Sequence, residues 1–365
     1  MGKLLIPGVI VAVAVALSLF VNVFALVIFF RRKRLRIRAH LIPLFHLAAV
    51  DLLAVVTWSA VSVAIAVADW SPAPTICQAH AYFRSLWNML HVHTFAVLAI
   101  ERALRLVKPS LHVTIFVPRV VAFLLTGLWV FDVLVASIPH YGWLEFRLVE
   151  NEMQCSPDFT DSIATLNFDF CVKWALPYLL LIAPCFALSF WKVWSARRNS
   201  SSSSCTGEIV LEAFPYTACH GYAERVMDFQ SRFKQAGMKK AKPKLGEKVF
   251  TKQGYVTDSD SDVDDASGKE LRAPQRVFSL ARREYVLLKT YVIVSCVYFI
   301  LWLPHVAVTF VVNRDPYAGV ADWVVHLVTS LTHWAQVALP TIYLAYNVSF
   351  RRCVMKTLRC GGRRR

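Results

Sequence analysis

The chain runs without a charged residue from Leu4 to Phe30 and then turns at once into RRKRLRIR. As a helix rising ~1.5 Å per residue, that run exceeds the ~30 Å hydrocarbon core of a bilayer, so it spans a membrane. A cleaved signal peptide would place a shorter apolar region, ~7–15 residues, after its basic cluster and not before it. Six further blocks follow at about 41–68, 77–100, 116–139, 167–194, 286–312 and 322–346. Composition agrees, with 18% charged residues against roughly 25% in soluble domains. The net charge of +16 would suggest a nucleic-acid binder if it covered one polar face. Here the basic residues lie between apolar blocks, and no nucleic-acid partner is expected.

An odd number of spans puts the two ends on opposite sides. Arg31, Arg32, Lys33, Arg34, Arg36 and Arg38 follow the first block, and Arg102, Arg105, Lys108 and Arg119 surround the connection after the third. The alternate connections, about 69–76, 140–166 and 313–321, hold only Arg147 and Arg314. By the positive-inside rule the N-terminus lies outside and the C-terminus in the cytoplasm. That is a multi-pass protein of the plasma membrane.

Composition shifts sharply at 195–285, with serines at 200–204, a lysine-rich stretch at 234–252 and TDSDSDVDD at 257–265. Such a segment buries too little apolar surface to fold alone. The expected organisation is therefore spans one to five over 1–194, a largely disordered cytoplasmic loop over 195–285, spans six and seven over 286–346, and a basic tail over 347–365. In the tail, Phe350, Val354 and Leu358 recur at i, i+4 and i+8 opposite Arg351, Arg352, Lys356 and Arg359, the pattern of an amphipathic helix lying on membrane lipids. Cys353 and Cys360 beside it are candidates for palmitoylation. Thr257, Ser259 and Ser261 each precede an acidic residue by three, a pattern acidophilic kinases accept.

Asp51 stands mid-span in LAAVDLL, where an ionised carboxylate costs at least ~2.5 kcal/mol. Asn22, in the middle of the first block, is placed to donate to it. Cys77 and the pair Glu101–Arg102 lie about seven helical turns apart, marking the outer and inner ends of one span. Cys77 is then free to meet Cys155 on the oxidising side, where disulfides persist.

These residues, with ERALRLVKP, Trp129, LWLP (Leu301 to Pro304) and LPTIY (Leu339 to Tyr343) followed by Phe350, resemble the rhodopsin-like G-protein-coupled receptors across all seven spans. The resemblance implies an all-α membrane protein, a seven-transmembrane helix bundle with a short amphipathic cytoplasmic helix after the last span. It implies a receptor and not an enzyme, with no cofactor. It further implies heterotrimeric G proteins as partners, with arrestin and receptor kinases beside them. Asn22, Asp51, Glu101, Arg102, Trp302, Pro304, Pro340 and Tyr343 match the family's switch positions, and Glu284 matches the acidic position some members pair with Arg102.

Several residues depart from that pattern. Leu339 stands where Asn or Asp is usual, Ala103 replaces the usual Tyr, and His91 replaces a small hydroxyl residue near Asp51. Either His91 pairs with Asp51 directly or it is an ordinary core histidine. In the fifth span, Pro177 and Pro184 both fit the family's kink. Arg84, two turns inward from Cys77, occupies the place where amine receptors carry an aspartate. It points to a small anionic ligand held with Asn88, His305, Thr309, Thr329 and His333, or else to an internal pair with Asp69 or the second outer loop. A retinal photoreceptor would need a lysine in the seventh span, and none occurs there. A transporter or channel would need more than the few intramembrane charges present: Asp51, Arg84, Asp132, Asp169 and Lys173.

Overall fold

The structure is a computed structural model. It describes residues 5–32, 35, 39–138, 145–149, 152–157, 163–202, 273–314, 319–346 and 350–351, with backbone alone at 163–165, 168, 196–202, 273–284 and 314. Five of the described helices are long and apolar enough to cross a membrane: Leu5–Arg31, Ala39–Ala68, Pro118–Ser137, Cys171–Ser195 and Tyr285–Asn313. The helices Pro74–Val107 and Asp322–Tyr346 take the third and seventh places. At ~1.5 Å per residue both exceed the hydrocarbon thickness, but they carry more polar side chains. Those side chains face the bundle: His80, Asn88, His91 and Thr94 of the third span and Thr329, His333 and Gln336 of the seventh are buried. Phe20, Phe123 and Leu180 project from other spans at 70%, 77% and 65% exposure. The bundle is thus polar inside and apolar outside, as lipid as a solvent requires.

Proline sets where the helices begin. A residue before proline is driven from the α region, and Ala73, Lys108 and Val117 have ψ of 154°, 71° and 150°. Pro74, Pro109 and Pro118 then open the next helices, where a missing N–H costs nothing. Lys108 so ends the third span and starts a short helix, Pro109–Ile115. At the other end of the first span, Gly8 lets two helices touch: a Cβ there would lie 2.9 Å from Ala66 Cβ and 3.1 Å from Val67 Cγ2.

Prolines inside spans act differently, by removing an N–H from the helical ladder. Pro304 and Pro340 lie within the sixth and seventh spans. In the fifth span a wide π turn, Pro177–Ile182, runs from Pro177 and ends just before Pro184, so the irregularity is shared between the two prolines. Another wide turn precedes it at Cys171–Ala175, and a third interrupts the second span at Val55–Ser59. Wide turns of this kind leave carbonyls without helical donors.

Between the fourth and fifth spans the helical expectation is incomplete. An antiparallel hairpin pairs strand β1, Phe146–Val149, with strand β2, Gln154–Pro157, in the register Leu148 opposite Cys155. Cys155 forms a disulfide with Cys77, Cα atoms 5.3 Å apart, and so holds the hairpin against the third span.

The chain divides into two units, Met1–Ser195 with Arg283–Arg365, and Ala196–Arg282. Within the second, helix is described at 196–202 and 273–282. Thr257, Ser259, Ser261, Cys353 and Cys360 lie outside the described residues, as does most of the stretch expected to form the tail helix. Phe350, at its start, is buried against Phe45 and Tyr343, with ring centroids 5.8 and 6.4 Å away.

Candidate functional site

A cavity of about 90 Å³ opens between the third, fifth and sixth spans and strand β2. Arg84, Asn88, His305 and Thr309, four of the residues expected to hold a ligand, line it, with Trp302 among its apolar walls. Arg84 Nη2 donates to Ser156 Oγ at 3.0 Å and its Nη1 to His305 Nε2 at 3.4 Å. The internal alternative is therefore half realised. The loop between the fourth and fifth spans does take a hydrogen bond from Arg84, through Ser156, and brings the buried Glu152 carboxylate near it, while no ion pair joins Arg84 to Asp69.

Thr329 and His333 do not line this cavity, which corrects the expectation for both. His333 turns toward the second span: its ring stacks on Trp58 at 4.4 Å and its Nδ1 donates to Ser59 Oγ at 3.0 Å. Ser59 Oγ in turn donates to Gln336 Oε1 at 3.2 Å. Thr329 is fully enclosed in the seventh span. His80 is a member of this network that the sequence reading missed. Its Nδ1 accepts the Cys155 N–H at 3.2 Å, and its Nε2 donates to Trp58 O at 3.2 Å, a carbonyl in the wide turn of the second span. One imidazole thereby ties the disulfide loop to the core.

Below the cavity, rings form a continuous column. Trp302 lies 6.0 Å from His305, 5.7 Å from Trp174 and 5.9 Å from Tyr298. Tyr298 stacks on His91 at 5.2 Å. His91 reaches Asp51, with Nε2 2.8 Å from Oδ1, and its Nδ1 lies 2.7 Å from Trp87 O. A carbonyl can only accept, so Nδ1 carries a hydrogen. Whatever further proton the pair holds then lies between Nε2 and Oδ1, in a pair both of whose side chains are almost completely buried.

Asn22 is not the partner of Asp51, contrary to the sequence reading. Its Nδ2 donates to Ser18 O at 3.0 Å, Ser18 Oγ at 3.1 Å and Gln336 O at 3.1 Å. The reason lies in Pro340. It has no N–H to return to the carbonyl four residues earlier, so Gln336 O accepts from Asn22 and from Ser18 Oγ, the latter at 3.3 Å.

The remaining midspan charges are also paired. Asp132 Oδ1 lies 2.5 Å from His93 Nδ1, and Lys173 bonds Asp169 one turn away. At the C-terminal end of the third span Arg102 Nε donates to Glu101 Oε2, both side chains fully enclosed. His112, from the short helix after Pro109, donates Nε2–H to Glu101 Oε1 at 2.8 Å. The Arg102 guanidinium also lies 5.2 Å from the Tyr291 ring centroid, and Tyr291 Oη donates to His40 O at 2.9 Å. These contacts join the third and sixth spans with the connections that follow the first and third spans. The side chain of Glu284 lies outside the described residues. Tyr343 is buried beside Phe45.

The family described as 7 transmembrane receptor (rhodopsin family) matches residues 21–343. Among solved structures, squid rhodopsin is similar at 15% identity with a TM-score of 0.67, over 98% of this chain and 85% of that one. At that identity the likeness is one of fold. No curated protein matched the chain. With the family match spanning the first to the seventh helix, the chain belongs to the rhodopsin family of seven-transmembrane receptors: it is a multi-pass membrane receptor and not an enzyme.

Proposed function

We propose that this receptor passes a signal, arriving from outside or generated by the bundle itself, to heterotrimeric G proteins through rearrangement of its helices. The observation that carries this reading is the continuity of the interior. A polar cavity at one end connects through Trp302, Tyr298 and His91 to Asp51, and an enclosed Arg102–Glu101–His112 cluster stands at the other end. A ligand in the cavity presses on the ring column, and a change of packing there shifts the populations of two bundle arrangements. Breaking the inner cluster frees Arg102 for a cytoplasmic partner.

The orientation follows the basic connections, with the N-terminus outside and the C-terminus in the cytoplasm. The loop at 195–285 and the tail at 347–365 then face the cytoplasm, where kinases and arrestin act. Thr257, Ser259 and Ser261 serve as phosphorylation sites, and Cys353 and Cys360 as lipid anchors. Expression in cells with each G-protein class, without added ligand, tests the reading. Basal coupling to at least one class that falls on Arg102→Ala at equal surface expression supports it. Coupling indifferent to Arg102 in every class contradicts it.

A further inference from the structure

Charge around the outer cavity is balanced. Arg84 donates to Ser156 and His305, and the buried Glu152 carboxylate acts on both Arg84 and His305. On the fifth-span wall Lys173 is paired with Asp169. Two cations thus meet two anions. A charged guest would leave one charge uncompensated among largely buried groups, where such a charge is most costly. The guest this cavity suits carries no net charge.

Hydrogen-bond capacity, in contrast, is not balanced. His305 Nε2 accepts from Arg84 Nη1 and from Gln154 Nε2, both at 3.4 Å. The neutral imidazole therefore carries its hydrogen on Nδ1, and that atom is buried without a partner. Asn88, only 7% exposed, has the opposite deficit: its Oδ1 is a buried acceptor with no donor. Ser85 Oγ and Thr309 Oγ1 are likewise unpartnered, and all four residues line the cavity. Buried polar groups in folded proteins are normally satisfied, so their convergence on one cavity marks a place for a polar guest. Two of the four fix its sense. The guest must accept from His305 of the sixth span and donate to Asn88 of the third.

We propose that the cavity binds a small uncharged carboxamide, its carbonyl oxygen accepting from His305 Nδ1–H and its amide N–H donating to Asn88 Oδ1. The proposal rests on the receptor reading and names a ligand class for it. A carboxylate brings a negative charge and has no donor for Asn88; an amidinium brings a positive charge and has no acceptor for His305. A ketone answers only His305. A lone hydroxyl must serve both helices from a single atom, whereas a carboxamide presents the two groups side by side on one rigid plane. The volume of about 90 Å³ leaves room for one small ring beside the amide, and Phe170, Trp174, Trp302 and Phe310 supply aromatic walls for it.

The test uses the purified full chain in lipid nanodiscs and ligand-observed NMR titration. The probes are benzamide, benzoate, benzamidine, acetophenone and benzyl alcohol, which share the ring and differ in charge and hydrogen-bonding groups. The wild type is expected to bind benzamide about 10-fold or more tighter than benzoate or benzamidine, and about 5-fold tighter than acetophenone or benzyl alcohol. Asn88→Ala removes the advantage of benzamide over acetophenone. Glu152→Gln leaves Arg84 unmatched and raises benzoate relative to benzamide by about 5-fold or more, and Arg84→Gln does the same for benzamidine. A wild type that fails to bind benzamide, or binds any of the other four probes as tightly, overturns the proposal. So do probe preferences that stay put in both charge variants. The order of probes on the wild type decides the matter even where a variant fails to fold. Because binding needs no G protein, benzamide that binds while no heterotrimer responds would fault the coupling and leave the site standing.

Discussion

Removing His91 should damage the core in proportion to the charge left on Asp51. In the wild type, Nδ1 is committed to Trp87 O and Nε2 meets Asp51 Oδ1 at 2.8 Å, while Asp51 Oδ2 has no partner. His91→Ala therefore strips the fully buried carboxyl of its protein hydrogen bond, a loss of about 3–5 kcal/mol. Asp51→Asn is different. The new amide donates into the Nε2 lone pair, exchanging a charge-assisted bond for a neutral one at a cost of about 1 kcal/mol. In that background His91→Ala leaves only a neutral amide, and the cost falls to about 2 kcal/mol. The ring contact with Tyr298 is lost in both backgrounds and cancels. Reversible unfolding of the purified chain in mixed detergent micelles measures all four corners of the cycle. A His91→Ala cost equal in the two backgrounds to within about 0.5 kcal/mol would refute the pairing argument.

Three further outcomes follow from the contacts. Cys77→Ser and Cys155→Ser should each lower surface expression, and the double variant should be no worse than either, since one bond is lost in every case; additive losses in flow cytometry would mean separate roles. His112→Ala should destabilise by about 1–2 kcal/mol, with His112→Gln recovering part because its amide still donates to Glu101; identical unfolding curves for the two variants would show that the hydrogen bond is not what matters. Glu284→Ala should raise basal signalling through a coupling of about 1–3 kcal/mol, read at matched surface expression; unchanged signalling would remove Glu284 from the inner lock.

Much of this architecture is legible in the sequence because the bilayer imposes length and apolarity on each span. The disulfide is legible too, because the basic connections put both cysteines on one side. Partner choice inside the bundle is harder to read. Asn22 and Asp51 lie at matching depth, yet Asn22 answers to a backbone carbonyl that Pro340 leaves open. The signal was there, in a proline four residues after Gln336, but which helix faces that carbonyl depends on packing. His333 was misplaced for a related reason. One residue of helical rotation is 100°, enough to turn a side chain from the cavity toward Trp58. The hairpin at Phe146–Val149 and Gln154–Pro157 has strands of four residues, too short for a period to stand out. Its contribution of Ser156 and Gln154 to the Arg84 site was hidden with it.

The most direct test of the account is nucleotide exchange on purified heterotrimers by the receptor in lipid vesicles. The wild type and Glu284→Ala should load GTPγS onto at least one G-protein class faster than receptor-free vesicles do, the variant faster than the wild type, and Arg102→Ala should abolish the gain. If every class exchanges at the receptor-free rate, with receptor and heterotrimer both folded, this bundle does not act on G proteins and the account is wrong.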